Sequence, residues 1–178
     1  MDRLITSVEQ FRQIVRPSSV HLDEECVMSF LDEAVTAYVL PVTGYTIYKE
    51  ACSDDPISGM AQGFDKSVFV NGGEWEQMSS CACDEDGTQY CSGLKKALAY
   101  FAYARMMRAD GAVVSRAGLM RHRDEYGDHV MTDKQYQDVM SMAEAYMGEC
   151  AKYLKAYSLD TKINRVPQTR ARIKAIGV

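Results

Sequence analysis

The stretch Ser79–Gly93, "SSCACDEDGTQYCSG", places Cys81, Cys83 and Cys91 together with Asp84, Glu85 and Asp86 within fifteen residues. Those residue types can ligate a metal, close a disulfide, or line a solvated loop. A structural zinc site needs four ligands in tetrahedral geometry, and its cysteines usually come as Cys-x2-4-Cys knuckles. Here the spacing is Cys-x-Cys, seven residues separate Cys83 from Cys91, and a fourth ligand would have to come from a distance, such as Cys52 or His122. Disulfides are the weakest of the three readings. In a reducing compartment Cys26, Cys52, Cys81, Cys83, Cys91 and Cys150 stay mostly as thiols. A solvated acidic loop between Trp75 and a helix entered at Gly93 accounts for the same residues, with Gly87 as a turn and Cys91 packed near the helix entry. No metal is expected.

Other chemistry is thinly represented. His21, His122 and His129 are the three histidines, and none sits in a metalloprotease or hydrolase motif. There is no Gly-rich phosphate loop, no nucleophile elbow and no spaced acid pair embedded in apolar sequence. Neither catalytic residues nor a cofactor are therefore expected, and the chain is not read as an enzyme.

The elements that would carry any site are mostly helical. A chain of 178 residues with 47% hydrophobic and 25% charged residues suits one compact domain with an appended arm. In "SSVHLDEECVMSFLDEAVTAYVL" the residues Leu22, Cys26, Phe30, Ala34 and Tyr38 recur at about helical spacing, with Ser18 or Ser19 as cap and Pro41 as stop. "GYTIYKEA" suggests a short second helix, and Val68 to Val70 a short strand closed by Asn71 and Gly72. In "GLKKALAYFAYARMMRADG" one face carries Leu94, Leu98, Phe101 and Arg105, the alanines allow close helix approach, and Gly111 is a natural stop. Val113, Val114 and Gly118 predict a short strand or hairpin arm. The last long helix opens at Thr132, with Gln135 at the capping-box position, and continues through Tyr136, Val139, Met140, Ala143, Met147, Cys150, Leu154 and Tyr157. The expected fold class is mainly α: a bundle of about three long helices with a short β-hairpin or loop arm and an extended C-terminal tail.

Two stretches are candidates for interaction rather than catalysis. "SRAGLMRHRDEYGDH" concentrates Arg116, Arg121, Arg123, Asp124, Glu125 and Asp128. Such a run is either a solvated loop or an interface arm whose arginines make bidentate pairs with carboxylates on another copy. Beyond residue 157 the periodicity disappears. Residues 158–178 set Lys162, Arg165, Arg170, Arg172 and Lys174 against Asp160 alone, so this end carries +4 and the rest of the chain −9 of the total −5. Ile163, Val166, Ile173 and Ile176 are interspersed among those cations, which suits a segment laid along a protein groove and ordered on docking. The expected division is a helical domain over 1–157 and a basic arm over 158–178. No apolar run approaches the roughly 18 residues that span a bilayer, and "MDRLITSVEQ" lacks the regions of a signal peptide, so no membrane is expected and cytoplasmic synthesis is.

Several pieces in order, "FLDEAVTAYVLPVTGYTIYKEA", "VNGGEWE", "GLKKALAYFAYARMMRADG", "VVSRAGLMRHRDEYGDH" and the long tyrosine-rich helix, resemble the head-tail connector, or adaptor, proteins of tailed bacteriophages, especially those of crAss-like and related gut phages. The resemblance covers most of residues 18 to 157; the cysteine loop departs from the family's pattern and the tail lies outside it. It implies a helical protomer of a virion ring, usually of twelve copies, assembled in the bacterial host cytoplasm at the head-tail interface. Such a ring contacts the portal protein and a tail or second ring protein, and extends the DNA channel without sequence-specific binding. An acidic body suits a channel that passes DNA, since fixed carboxylates repel phosphates. The competing reading is a small cytoplasmic helical regulator or nucleic-acid-binding protein that uses the basic tail, against which a pI of about 5.2 argues for the body.

Overall fold

The structure, a computed structural model, describes residues 2–15, 23–77, 87–109, 113–115, 118–120 and 132–159. The protein is mainly helical, with small two-stranded antiparallel sheets. Helix α1 (Val8–Ile14) is capped by Ser7, whose side chain accepts from the Gln10 N–H, while the Gln10 amide oxygen accepts from Thr6. Its buried residues Val8 and Phe11 continue an apolar N-terminal stretch that includes Leu4 and Ile5.

The helical run Glu24–Thr43 comprises α2 (Glu24–Ala34), a π-helical segment (Val35–Val39) and α3 (Leu40–Thr43). Pro41 therefore does not stop the helix, contrary to expectation. A proline lacks the N–H for the usual ladder and its ring crowds the preceding turn. Widening that turn accommodates it: the Leu40 N–H reaches back five residues to the Val35 carbonyl. The run ends at Gly44, whose φ of 77° few other residues adopt. Asp23 occupies the N-cap position; Leu22 and the proposed caps Ser18 and Ser19 lie outside the described residues.

The buried face of this run meets the expected stripe only at Ala34. Val27, Met28, Leu31, Ala34, Val35, Val39 and Val42 are buried, whereas Cys26 is exposed and Phe30 and Tyr38 are half-buried. A stripe drawn at i+4 drifts by about 40° per step around a helix of 3.6 residues per turn, so it crosses the core face at Ala34 instead of following it. The run is 20 residues long with a mean hydropathy of 1.3, which by length and composition is enough to cross a membrane and revises the expectation that no segment is. Its inner face packs within the fold, α2 lying on the helix Leu94–Ala109, while on its outer side Asp32 pairs with Arg3 at 2.7 Å and Glu33 with Arg105 at 2.5 Å.

Helix α4 (Tyr45–Cys52) forms as expected. The expected strand at Val68–Val70 does not; those residues belong to α5 (Lys66–Asn71). Asp65 caps it by accepting from the Ser67 N–H at 2.7 Å, a start signal that outweighs the β-branched composition of a three-residue window. Strands β1 (Gly73–Gln77) and β2 (Gly87–Cys91) then pair antiparallel, with Gly73 opposite Cys91 and Gln77 opposite Gly87. The region read as a loop is thus partly a hairpin. Trp75 is buried on it, and Cys91 is buried directly before α6 (Leu94–Ala109), as expected.

Helix α6 is buried around most of its circumference, because α2 packs on one side and α7 (Thr132–Tyr157) on the other. Ala97, Ala102 and Ala104 are fully inaccessible, which is where the small side chains let the neighbouring backbones approach. Leu94, Leu98 and Phe101 fill the layers between them, and Phe101 stacks on Tyr38 at 4.5 Å. Ala102→Leu should therefore overpack this contact and cost about 1–3 kcal/mol. The check is a urea titration, in which the midpoint falls at unchanged slope. Strands β3 (Val113–Ser115) and β4 (Gly118–Met120) form the expected hairpin between α6 and α7. On α7 the stripe Val139, Met140, Ala143, Met147, Cys150 and Leu154 is buried, joined by Tyr153.

Candidate functional site

The structure gathers polar and nucleophilic groups at the base of the β1–β2 hairpin, where β2 turns into α6 beside α7. The turn Cys91–Ser92–Gly93 lies against Asn71–Gly72 at the end of α5. A Cβ on Gly93 would meet the Gly72 nitrogen at 2.5 Å, and one on Gly72 the Ser92 oxygen at 2.8 Å. Both glycines have positive φ, 93° at Gly72 and 89° at Gly93, so only glycine fits this backbone crossing without strain.

From α7, Glu149 reaches this turn. Its Oε2 accepts from the Ser92 N–H at 3.0 Å and from the Ser92 hydroxyl at 2.6 Å. The carboxylate thus sits near the N-terminus of α6, where the helix dipole favours negative charge. One residue away from Ser92 and Glu149 on each segment, Cys91 Sγ and Cys150 Sγ lie 3.8 Å apart and both are inaccessible to solvent. The two sulfurs share a weak S–H···S hydrogen bond. This contact pushes the Cys150 pKa up, as does burial, and draws that of Cys91 down against the opposing effect of burial. A serine bonded to a carboxylate is not by itself a nucleophile–base pair. With both of its bonds to Ser92 made through one oxygen, Glu149 ties α7 to the turn.

Around the corner, the aromatic rings of Phe64, Trp75, Tyr153 and Tyr157 pack at centroid distances of 5.1–6.0 Å. Tyr153 locks the group to the α5 entry, since its hydroxyl donates to the Asp65 carbonyl at 3.1 Å and accepts from the Asp65 N–H at 2.9 Å. Burial raises its pKa.

On the opposite side of α5, an open cleft of about 350 Å³ is lined by residues that include Arg3, Cys52, Asp54, Lys66, Asn71 and Lys95. Its cations are engaged within the protein. Arg3 forms a two-bond pair with Asp32 at 3.1 and 2.7 Å, and Lys95 donates to Asn71 Oδ1 at 3.0 Å. The Lys66 ammonium donates to the carbonyls of Glu50 at 2.6 Å and Asp55 at 2.8 Å, and to that of Ser53. Three donors thus meet three carbonyls around the C-terminal end of α4, where a cation is favoured. Lys66→Met should leave those carbonyls without this donor and cost about 1–3 kcal/mol. Lys66→Arg should not restore the stability, because a planar fork cannot match three converging acceptors; urea midpoints of the two variants check this.

Among the described residues, no group of three or more His, Cys, Asp or Glu is placed to hold a metal ion. Cys81 and Cys83 lie outside the described residues, as do Arg116, Arg121, Arg123, Asp124 and Glu125 of the arm and the whole set Lys162, Ile163, Arg165, Val166, Arg170, Arg172, Ile173, Lys174 and Ile176 of the tail. Of the arm's stretch, Ser115 and Gly118–Met120 lie in the β3–β4 hairpin. Sequence reading missed the Cys91–Cys150 and Ser92–Glu149 contacts. Each joins residues 59 or 57 positions apart, and the only signal was that Cys150 fell on the apolar stripe of α7.

No curated protein and no solved structure matches the chain. A family model described as a family of unknown function, DUF6712, matches residues 39–162, from the end of the π-helical segment through α7. Since that match takes in the hairpin base, α6, the β3–β4 hairpin and α7, more than half of the chain, the protein belongs to the DUF6712 family.

Proposed function

We propose that the chain is a structural virion protein, a head-tail connector protomer that forms a ring joining the phage portal to the tail or to a second ring, and that its role is assembly rather than catalysis. The observation that carries this reading is the ordered set of segments resembling such connectors, now set on a mainly helical body. In this reading three long helices, the run Glu24–Thr43, α6 and α7, form the bundle, and the β3–β4 hairpin with the charged residues after it is the inter-subunit arm. Arg116, Arg121 and Arg123 would pair with carboxylates of a neighbouring copy, with Asp124 and Glu125 returning the contact. Self-complementary charge of this kind sets the register in a ring. The acidic body faces a channel through which DNA passes, and the basic tail docks on a portal or neighbouring ring protein.

Negative-stain microscopy of the purified protein, alone and mixed with the portal from the same source, tests the reading. Closed rings support it, twelve copies being the number the resemblance implies; a monomer under both conditions sinks it. Charge reversal at Arg123 and at Asp124, made separately, should impair ring assembly with helical content unchanged by circular dichroism. Normal assembly of both variants would reduce the arm to a solvated loop.

A further inference from the structure

We propose that Cys91 and Cys150 form a paired redox site, which a peroxide converts into an intramolecular disulfide stapling the β2–α6 turn to α7. The inference does not depend on what the protein assembles into.

The geometry sets these two thiols apart from the other described cysteines. Cys26 is exposed, and Cys52 is half-buried and directed at the Asp2 carbonyl at 3.5 Å. Cys91 and Cys150 instead face each other at 3.8 Å, and the adjacent Ser92–Glu149 bonds hold the same two segments together one residue away. A disulfide has its sulfurs about 2.0 Å apart, so a side-chain adjustment of under about 2 Å closes the gap. The Gly72–Gly93 crossing pins the other side of the same turn against α5.

The reaction balances with one equivalent of hydrogen peroxide. Cys91, whose thiolate is favoured by its contact with the Cys150 sulfur, attacks a peroxide oxygen. The O–O bond breaks, the thiol proton leaves with the departing oxygen as water, and Cys91 becomes a sulfenic acid. The Cys150 sulfur then attacks the Cys91 sulfur, the S–O bond breaks, and the Cys150 proton leaves with the hydroxyl as a second water. Two thiols are oxidised by two electrons and the peroxide is reduced. Because both sulfurs are buried, access requires local opening at the hairpin base, so the pair stays reduced in a glutathione-buffered compartment and closes under oxidising conditions.

The test uses the full chain. The folded protein is exposed to hydrogen peroxide, quenched with catalase, unfolded in N-ethylmaleimide and mapped as non-reduced peptides. The expected result is one linked peptide pair containing Cys91 and Cys150, in a protein about 2 Da lighter before alkylation and restored by dithiothreitol. Recovery of both cysteines as alkylated thiols overturns the proposal, and so does a bridge from Cys91 to Cys81 or Cys83. In Cys150→Ala the linked pair should vanish while Cys91 is recovered as thiol or sulfenic acid. An intramolecular bridge surviving on Cys91 in that variant counts equally against the assignment, and the wild-type map decides the matter if the variant does not fold.

Discussion

Gly93→Ala is expected to destabilise the protein by about 3–5 kcal/mol, a large share of the stability of an ordinary domain. Two independent causes add. The φ of 89° at this position is strained for any residue with a Cβ, at roughly 1–3 kcal/mol. The new methyl would also sit 2.5 Å from the Gly72 nitrogen and 2.6 Å from the Asn71 carbonyl carbon, both backbone atoms that no rotamer change can move. Relief requires α5 and the β2–α6 turn to separate, which would disturb the Ser92–Glu149 bonds and add an overpacking cost of about 1–3 kcal/mol. Two controls isolate the causes. Gly44→Ala, with a φ of 77° and nothing within 4 Å of the new methyl, should show the strain alone. Gly148→Ala, in the middle of α7 with open space around it, should stabilise by about 0.5–1 kcal/mol. Urea unfolding followed by far-UV circular dichroism ranks the three. A Gly93→Ala midpoint equal to that of Gly44→Ala would mean that the backbones do not cross at this distance.

If the chain is a connector protomer as proposed, removing the tail is expected to abolish its joining of the particle while leaving the body folded. The position of the cut follows from the structure. The Ala61 N–H donates to the Tyr157 carbonyl at 2.7 Å, Met60 bridges Ser158, and the Leu159 N–H donates to the Gly59 carbonyl at 3.1 Å. Backbone pairing with the body thus continues through Leu159, two residues beyond the end of α7, and truncation should follow that residue. If docking buries even two of Ile163, Val166, Ile173 and Ile176, at about 1.5–3 kcal/mol each, its loss weakens attachment by roughly a hundredfold or more. The truncated chain should therefore unfold at the wild-type urea midpoint yet be missing from purified virions. Incorporation at wild-type occupancy defeats the docking role. DNA binding that is steeply salt-dependent and lost on truncation would favour the nucleic-acid reading instead.

Some of the architecture was legible because local signals were redundant. Helix α7 shows a repeat sustained over many turns, α6 a run of good helix formers entered through Gly93, and the β3–β4 hairpin paired valines before a glycine. Where a single signal carried the reading, it failed. Pro41 suggested a stop, but a π turn absorbed it; Val68 to Val70 suggested a strand, but the Asp65 cap made a helix. Neither outcome contradicts local propensity by much, since each differs by an amount that tertiary packing easily exceeds.

By itself the sequence determined the helical class, the long C-terminal helix with its buried face, the burial of Cys91 at the helix entry, and the separation of an acidic body from a basic end. These follow from periodicity and charge, which act over a few residues and need no partner. Only the tertiary structure decided which face of Glu24–Thr43 is buried, that α6 is enclosed between α2 and α7, and that Gly72 crosses Gly93 beside the Ser92–Glu149 and Cys91–Cys150 contacts. Those features join residues far apart in the chain, and such pairings are set by how whole elements pack to exclude water, a property that no short window of sequence contains.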